Sequence, residues 1–521
     1  MRRNLFASAS LATFCLCAQQ ALAVDDAAVL KQLEQMQSRL DPQEKSIAEQ
    51  KAEIAKLKSQ LAAKSPVTAA PTKAPPASVP ALSAQLDAQQ QQIEALQTQA
   101  KQSKIKTSEA PSFTLTSGRP TFTTASGSFS AALRALVQFD GAYYMQHSGA
   151  PNDLSSGSNF RRARIGLSGR LFNVWDYYFL YDFGGSGVES STISSAYVQY
   201  NGLGPIAIRV GAFPPAAGLE DSEGAADTLF LEKSSAVEIT RGIAGADGRS
   251  AIAAIVARPE YFASVAFTGS KVGASGAFDE QEAMLGRFAY SPWNDDESTA
   301  VIGVNGSYVF KTADVAPGPG SASTGVNFQN SPELRVDDTS ASGSALSLVS
   351  SGNIDASSAY HWGVDGAANW DNLYAEGGYF GFGADRRNGS NPDFSGWYAQ
   401  ASWVLTGERR RYDASSVAFK APKAANPVNG DLGGYGAVEI AARYSSVDLN
   451  YRAGLAGAPT PAGGIRGGEQ NIWTIGINWY LNDALSLMFD YQNADIDRLN
   501  GAGLAIGQRL QAVSFRLQTA L

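Results

Sequence analysis

Trp473-Thr474-Ile475-Gly476-Ile477-Asn478-Trp479-Tyr480-Leu481 sets bulky apolar residues at every second position, and Asn482-Asp483 interrupts the run before Ala484 opens another. A period of two is the signature of a strand whose faces meet different surroundings. Trp473, Ile475, Ile477, Trp479 and Leu481 share one face; Thr474, Asn478 and Tyr480 share the other. The last strand repeats the scheme, with Val513, Phe515, Leu517 and Leu521 against Ser514, Arg516 and Gln518. So do the first three: Phe129, Leu133, Val137 and Phe139 oppose Arg134, Gln138 and Asp140; Ile165, Leu167 and Leu171 oppose Arg162, Arg164, Ser168 and Arg170; Trp175, Tyr177, Phe179, Tyr181 and Phe183 oppose Asp176, Tyr178 and Asp182.

Working outward from these runs gives sixteen strands across 129–521, beginning near residues 129, 159, 174, 191, 204, 248, 260, 284, 299, 360, 372, 394, 435, 469, 484 and 508. Tight connections such as Phe172-Asn173-Val174, Asn201 to Gly204 and Leu481 to Ala484 alternate with long ones near 145–158, 214–247 and 311–359. Short turns on one side and long loops on the other are what a transmembrane β-barrel needs. Residues 407–434 break the alternation, being long where a turn is due. In a soluble sandwich the apolar faces would pack inward; in a membrane barrel they meet lipid and the polar faces meet water. Tyr143, Tyr144, Trp175, Trp370, Tyr374, Trp403, Trp473 and Trp479 suit interfacial girdles. Sixteen strands would also enclose an aqueous channel rather than a plug of side chains. The expected fold is all-β: a 16-stranded antiparallel transmembrane β-barrel preceded by an N-terminal α-helical coiled coil.

The upstream quarter reads differently. Arg2 and Arg3, the apolar stretch Leu5–Cys17 and the small-x-small site Ala21-Leu22-Ala23 predict a signal peptide over 1–23. Leu33, Leu40, Ile47, Ile54 and Leu61 recur every seven residues, predicting a coiled coil over 24–63, placed in the periplasm. A Pro-rich linker (64–80), a short second coiled-coil segment (81–105, with Leu82, Leu86, Ile93 and Leu96) and a further linker (106–128) complete the order. Both cysteines, Cys15 and Cys17, fall in the signal segment, so the mature chain would hold no disulfide or thiolate site. The formal charge of −8 becomes about −10 without Arg2 and Arg3, and no basic stripe with interleaved aromatics favours nucleic acid. His147 and His361 lack metal-ligand spacing, and no strand-borne serine and histidine pair up at matching depth; no enzyme, metal or cofactor is implied.

Several blocks, in order, resemble the phosphate-selective porin O and P family: Phe160-Arg161-Arg162-Ala163-Arg164-Ile165-Gly166-Leu167; Gly211-Ala212-Phe213-Pro214-Pro215 with Gly218-Leu219-Glu220 and Leu231-Glu232-Lys233; Phe394 to Tyr398 with Ser402 to Glu408; Gly433 to Glu439 with Ala442-Arg443-Tyr444; and Gly468 to Leu481. The resemblance implies an outer-membrane homotrimer of sixteen-stranded barrels passing small anions, in some members phosphate or polyphosphate, with an inward-folded third loop near 214–247. It carries over Arg162, Arg164 and, more loosely, Arg443 as channel-lining residues. Face parity adds Arg134, Arg170, Arg209 and Arg516. A lumen guanidinium stays charged and grips oxyanions bidentately; its other role is an intra-wall pair with Asp140, Asp176 or Glu439. The expected constriction loop holds Glu220, Asp221, Glu223 and Asp227 against Lys233 and Arg241, acidic where a phosphate filter would be basic. The alternative is a sugar-specific porin resembling coiled-coil-bearing sucrose porins, with Tyr178 and Tyr480 as candidate lumen aromatics.

Overall fold

The structure, a computed structural model, describes residues 111–521 apart from residue 117 and the segments 185–191, 274–278, 317–321, 338–346 and 430–432, with a few single positions upstream. The chain divides into two units, Met1–Ala110 and Pro111–Leu521. In the first, Ala88, Gln91, Glu94, Ala95 and Thr98 are helical and exposed, and the Thr98 hydroxyl donates to the Glu94 carbonyl at 2.8 Å. The expected signal peptide, first coiled coil and Pro-rich linker lie outside the described residues.

The second unit begins with a hairpin, β1 (Ser112–Thr116) and β2 (Arg119–Thr123), inside the stretch read as linker from its polar composition. Then come β3 (Phe129–Gln146), β4 (Gly157–Leu171), β5 (Trp175–Asp182), β6 (Thr192–Leu203) and β7 (Ile206–Ala212). Two helices, α1 (Leu219–Ser222) and α2 (Ser235–Ala244), precede β8 (Arg249–Ala257), β9 (Tyr261–Lys271), β10 (Glu282–Asn294) and β11 (Ser298–Lys311). The pair β12 (Gln329–Asn330) and β13 (Val349–Ser350) leads to β14 (Ala356–Trp370), β15 (Leu373–Arg386) and β16 (Asp393–Val404). A second small pair, β17 (Arg411–Asp413) and β18 (Ala418–Lys420), precedes β19 (Ala437–Tyr451), β20 (Ile465–Tyr480), β21 (Leu485–Asp497) and β22 (Gln508–Ala520).

Sixteen of these strands, β3 to β11, β14 to β16 and β19 to β22, form the wall, each antiparallel to its neighbours. β22 closes the ring on β3, with Arg516 opposite Asp140. The observed starts fall within four residues of those read from period two. The three-residue turn Phe172-Asn173-Val174 holds its first two residues at positive φ (53° and 65°), left-handed backbone that lets so short a connection reverse the chain. Residues 405–436 stay long but add no wall strand, since β16 pairs directly with β19.

Burial is inverted relative to a soluble protein. Inside, Gln138, Glu439, Asn478 and Arg516 are fully buried. Outside, Ile302, Val304, Ile475, Ile477 and Phe489 are each half-exposed or more, as are rows like them on neighbouring strands. All eight tryptophans are exposed, from 37% to 67%. Only a lipid surround makes that arrangement favourable. Trp175, Trp293, Trp370, Trp403 and Trp479 sit at or next to strand ends on the short-turn side. Trp362, Trp397 and Trp473 form a second belt, six to eight residues further along their strands. At a rise of about 3.4 Å per residue and a tilt of about 40°, the belts are about 16–21 Å apart. Tyr144 and Tyr374, expected in the girdles, instead point inward and are buried.

Candidate functional site: the lumen

The connection between β7 and β8 runs across the inner face of the barrel. Its backbone is bonded to side chains of β3, β14, β20 and β21. Leu219 N donates to Asp365 on β14 (2.9 Å), and Leu231 N donates to Asp490 on β21 (3.0 Å). The carbonyl of Ala225 accepts from Gln138 on β3 (2.9 Å), and that of Leu229 accepts from Asn478 on β20 (2.9 Å). The wall makes room for it with glycine. A Cβ at Gly396 would lie 2.9 Å from Ala236 Cβ on α2, and one at Gly476 would lie 3.2 Å from the Phe230 ring.

Seven arginines were expected on the lumen side, and they divide into two sets. Four are held by carboxylates. Arg164 contacts Asp182 and Asp247, each at 2.6 Å. Arg170, at the rim, pairs with Asp176 at 2.8 Å and is half-exposed. Arg443 reaches Glu333 at 2.6 Å and Glu220 at 3.4 Å, with its guanidinium carbon 4.6 Å from the centre of the Phe230 ring. Arg516 grips Asp140 through two bonds of 2.7 Å and reaches Glu232 at 3.2 Å. The other three, Arg134, Arg162 and Arg209, form no ion pair among the described residues. Arg134 donates to the Ser168 hydroxyl (2.7 Å), Arg162 to Gln138 (2.8 Å) and Arg209 to Gln199 (2.9 Å). Arg162 Nε is buried with no partner.

The acidity of the loop is largely cancelled by the groups it meets. Asp221 accepts from Lys233 (3.1 Å) and Arg241 (2.5 Å). Burial alone would raise its carboxyl, but these two cations outweigh that and lower it to about 2. Glu232 lies between Arg161 (2.6 Å) and Arg516, and although burial works against its charge, those arginines hold it well below the usual carboxylate range. Glu220 accepts from Ser234 N and Oγ, yet burial pushes it up to about 7 despite Arg443. Glu223, bonded by the Tyr374 hydroxyl (3.2 Å), is raised well above its ordinary value by burial and then by Glu376. Asp227 accepts from Ala421 N at 3.1 Å, which ties the loop to the long turn-side segment.

Sequence parity missed several members. Arg161 faces inward beside Arg162 because a bulge slips the β3–β4 register between Gln138 and Phe139, putting two consecutive residues on one side. The three closely set arginines of Arg161-Arg162-Ala163-Arg164 were the only clue. Glu333 and Arg410 come from irregular segments with no period to read. Arg410 is fully buried and pairs with Glu439 of β19 at 3.2 Å, so the carboxylate anticipated to hold a wall arginine holds one from the turn-side segment instead. Tyr480 donates to the same Glu439 (2.7 Å), which removes it from any lumen aromatic stripe. Strand pairing also sets Ser307 opposite His361, with Oγ and Nδ1 2.5 Å apart, correcting the expectation of no such pair. Both are buried, and the imidazole continues through Asn305 to Asp365, which holds Leu219 of the loop: a chain that fixes the loop to the wall. Among the described residues no group of three or more His, Cys, Asp or Glu is placed to hold a metal ion.

A closed antiparallel barrel that is apolar outside and charged inside defines a porin-type channel of the outer membrane. The chain belongs to the phosphate-selective porin O and P family, whose sequence model matches residues 132–520. It is 25% identical to Porin O of Pseudomonas aeruginosa over 375 residues, covering 70% of this chain and 81% of that protein. It is also 25% identical to an uncharacterized protein of Caulobacter vibrioides over 417 residues, covering 76% and 77%. Among solved structures it is similar to the anion-selective porin from Comamonas acidovorans (TM-score 0.45, 13% identity, 75% of this chain and 100% of that one). It is likewise similar to OmpT of Vibrio cholerae in its trimer form (TM-score 0.43, 8% identity, 76% and 100%).

Proposed function

We propose that this protein is a passive diffusion porin for small anions, its channel narrowed by the 213–248 connection. The observation that supports this best is the asymmetry of the lumen charges: the loop carboxylates are matched by cations or held near neutrality, while Arg134, Arg162 and Arg209 keep guanidiniums without a carboxylate partner. An anion leaving bulk water meets fixed cations that replace part of its hydration, and several weak sites in series let it leave again. The open path follows β4 to β9, because the loop is bonded mainly to the opposite strands. Phosphate passes without strong discrimination, since among the described residues only two carboxylate-free arginines, Arg162 and Arg209, line the same cavity. The working unit is a homotrimer in outer-membrane lipid, exported by the 1–23 signal peptide, with the 24–63 and 81–105 coiled coils in the periplasm aiding assembly. The test is the reversal potential of the purified channel in a planar bilayer under a potassium chloride gradient. Chloride preference is expected; potassium preference would overturn the reading.

A further inference from the structure

The open side of the lumen holds a cavity of about 390 Å³, within the size range of small-molecule sites. Four carboxylates line it, Asp221 paired with Lys233, Asp247 with Arg164, Glu238 with Arg241, and Glu223 bonded by the Tyr374 hydroxyl; beyond these the lining has two characters. Arg162, Arg164, Arg209 and Lys233 supply cations on one part of its surface. Phe213, Ala253, Ile255, Phe262 and Ala266 supply an apolar part; the last four sit on wall strands and line the cavity, whereas inward apolar residues on other strands, such as Phe380, Val447 and Ile472, belong to a packed cluster away from it. An inorganic anion gains nothing from hydrocarbon, so a purely ionic path gives no reason for that strip. The aromatic groups are also ordered. Tyr178 and Tyr197 stack with planes 5° apart, and the Arg209 guanidinium lies 4.4 Å from the Tyr197 ring centre and 5.3 Å from that of Phe213. A guanidinium laid on rings keeps its edge free to meet an oxyanion while the rings extend the apolar surface. Arg162, with its buried Nε unpartnered, adds a second donor at the same cavity.

From this juxtaposition we infer that the cavity is a binding site for organic anions made of a carboxylate on a flat apolar body, the arylcarboxylates being the simplest class. The carboxylate sits toward Arg162 and Arg209, and the ring lies along Phe213, Phe262 and the alanines. This rests on the anion-channel reading and narrows it to a solute class. The probes are acetate, benzoate and inorganic phosphate, added to one side of a bilayer holding the full-length channel while chloride current is recorded. Burying one face of a benzene ring corresponds to half-block by benzoate at about a tenth of the acetate concentration. Phe262→Ala and the milder Phe262→Leu bring that ratio toward one, and Arg209→Gln weakens block by both carboxylates. A channel that prefers chloride but is blocked equally by acetate and benzoate, or more readily by phosphate than by benzoate, overturns this inference alone. Potassium preference overturns the reading beneath it.

Discussion

Replacing Glu232 by Gln tests whether ion pairs position the loop. Its carboxylate bridges Arg161 at 2.6 and 3.1 Å and Arg516 at 3.2 Å, with both partners and the glutamate almost fully buried. Removing one member of a buried pair costs about 3–5 kcal/mol, because the remaining charge has lost its compensation in a poorly solvated place. Gln keeps one acceptor for Arg161, and Arg516 keeps Asp140, so the lower end, about 3 kcal/mol, is appropriate here. That shifts loop docking by about a hundredfold, since each 1.4 kcal/mol is a factor of ten. None of the wall ladder bonds involves this side chain, so the barrel itself should melt at nearly the same temperature by circular dichroism. Single-channel recordings should show noisier current and a higher chloride-to-potassium permeability ratio, because one lumen negative charge is gone. Unchanged noise with unchanged selectivity, or a shift toward potassium, would refute the argument that this carboxylate anchors the loop.

Glu220, raised to about 7 in the docked loop from an ordinary 4.5, makes docking pH-dependent. The docked state holds a proton that the undocked state releases, so docking is favoured below about 4.5 and weakens as pH rises to about 7, by about 3 kcal/mol at most. Current noise should therefore grow between pH 5 and 8, and Glu220→Gln should flatten that profile. Gly396→Leu forces a side chain into the space against Ala236 and Val447, so α2 must move; a larger single-channel conductance with an intact barrel is the expected reading.

Period two made the wall legible because lipid and water impose opposite demands on alternate residues, and that demand holds along every long strand. The signal fails where the alternation fails. At Arg161 a bulge breaks parity; at Tyr144 and Tyr374 the aromatic type suggested lipid, while position set them inward, where Tyr374 bonds Glu376 and Glu223. The hairpin at 112–123 is two five-residue strands of mixed polarity, too short for a period to stand out, and it is held by pairing with β3 through Thr121 to Thr123. The acid-rich loop could be read as a charge count but not as a charge balance. Its neutralisation depends on Arg161, Arg443 and Arg516, which lie between 71 and 284 residues away in the chain from the loop acids they meet. Residues 407–434 looked anomalous as a turn, and the anomaly was informative: the segment brings a buried Arg410 to Glu439.

The spacing of the two tryptophan belts has a mechanical corollary. Indole rings settle at the boundary between acyl chains and headgroups, so belts about 16–21 Å apart, with Tyr308 and Phe310 exposed just beyond the second, mark a hydrocarbon layer of about 25 Å, thinner than the ~30 Å of an average bilayer. The molecule is thus cut for a slim membrane, and in a thicker one the surrounding lipid must compress at a cost of a fraction of a kcal/mol per ångström of mismatch. Short-chain lipids are accordingly its natural solvent, and acyl length becomes a handle on how readily it inserts.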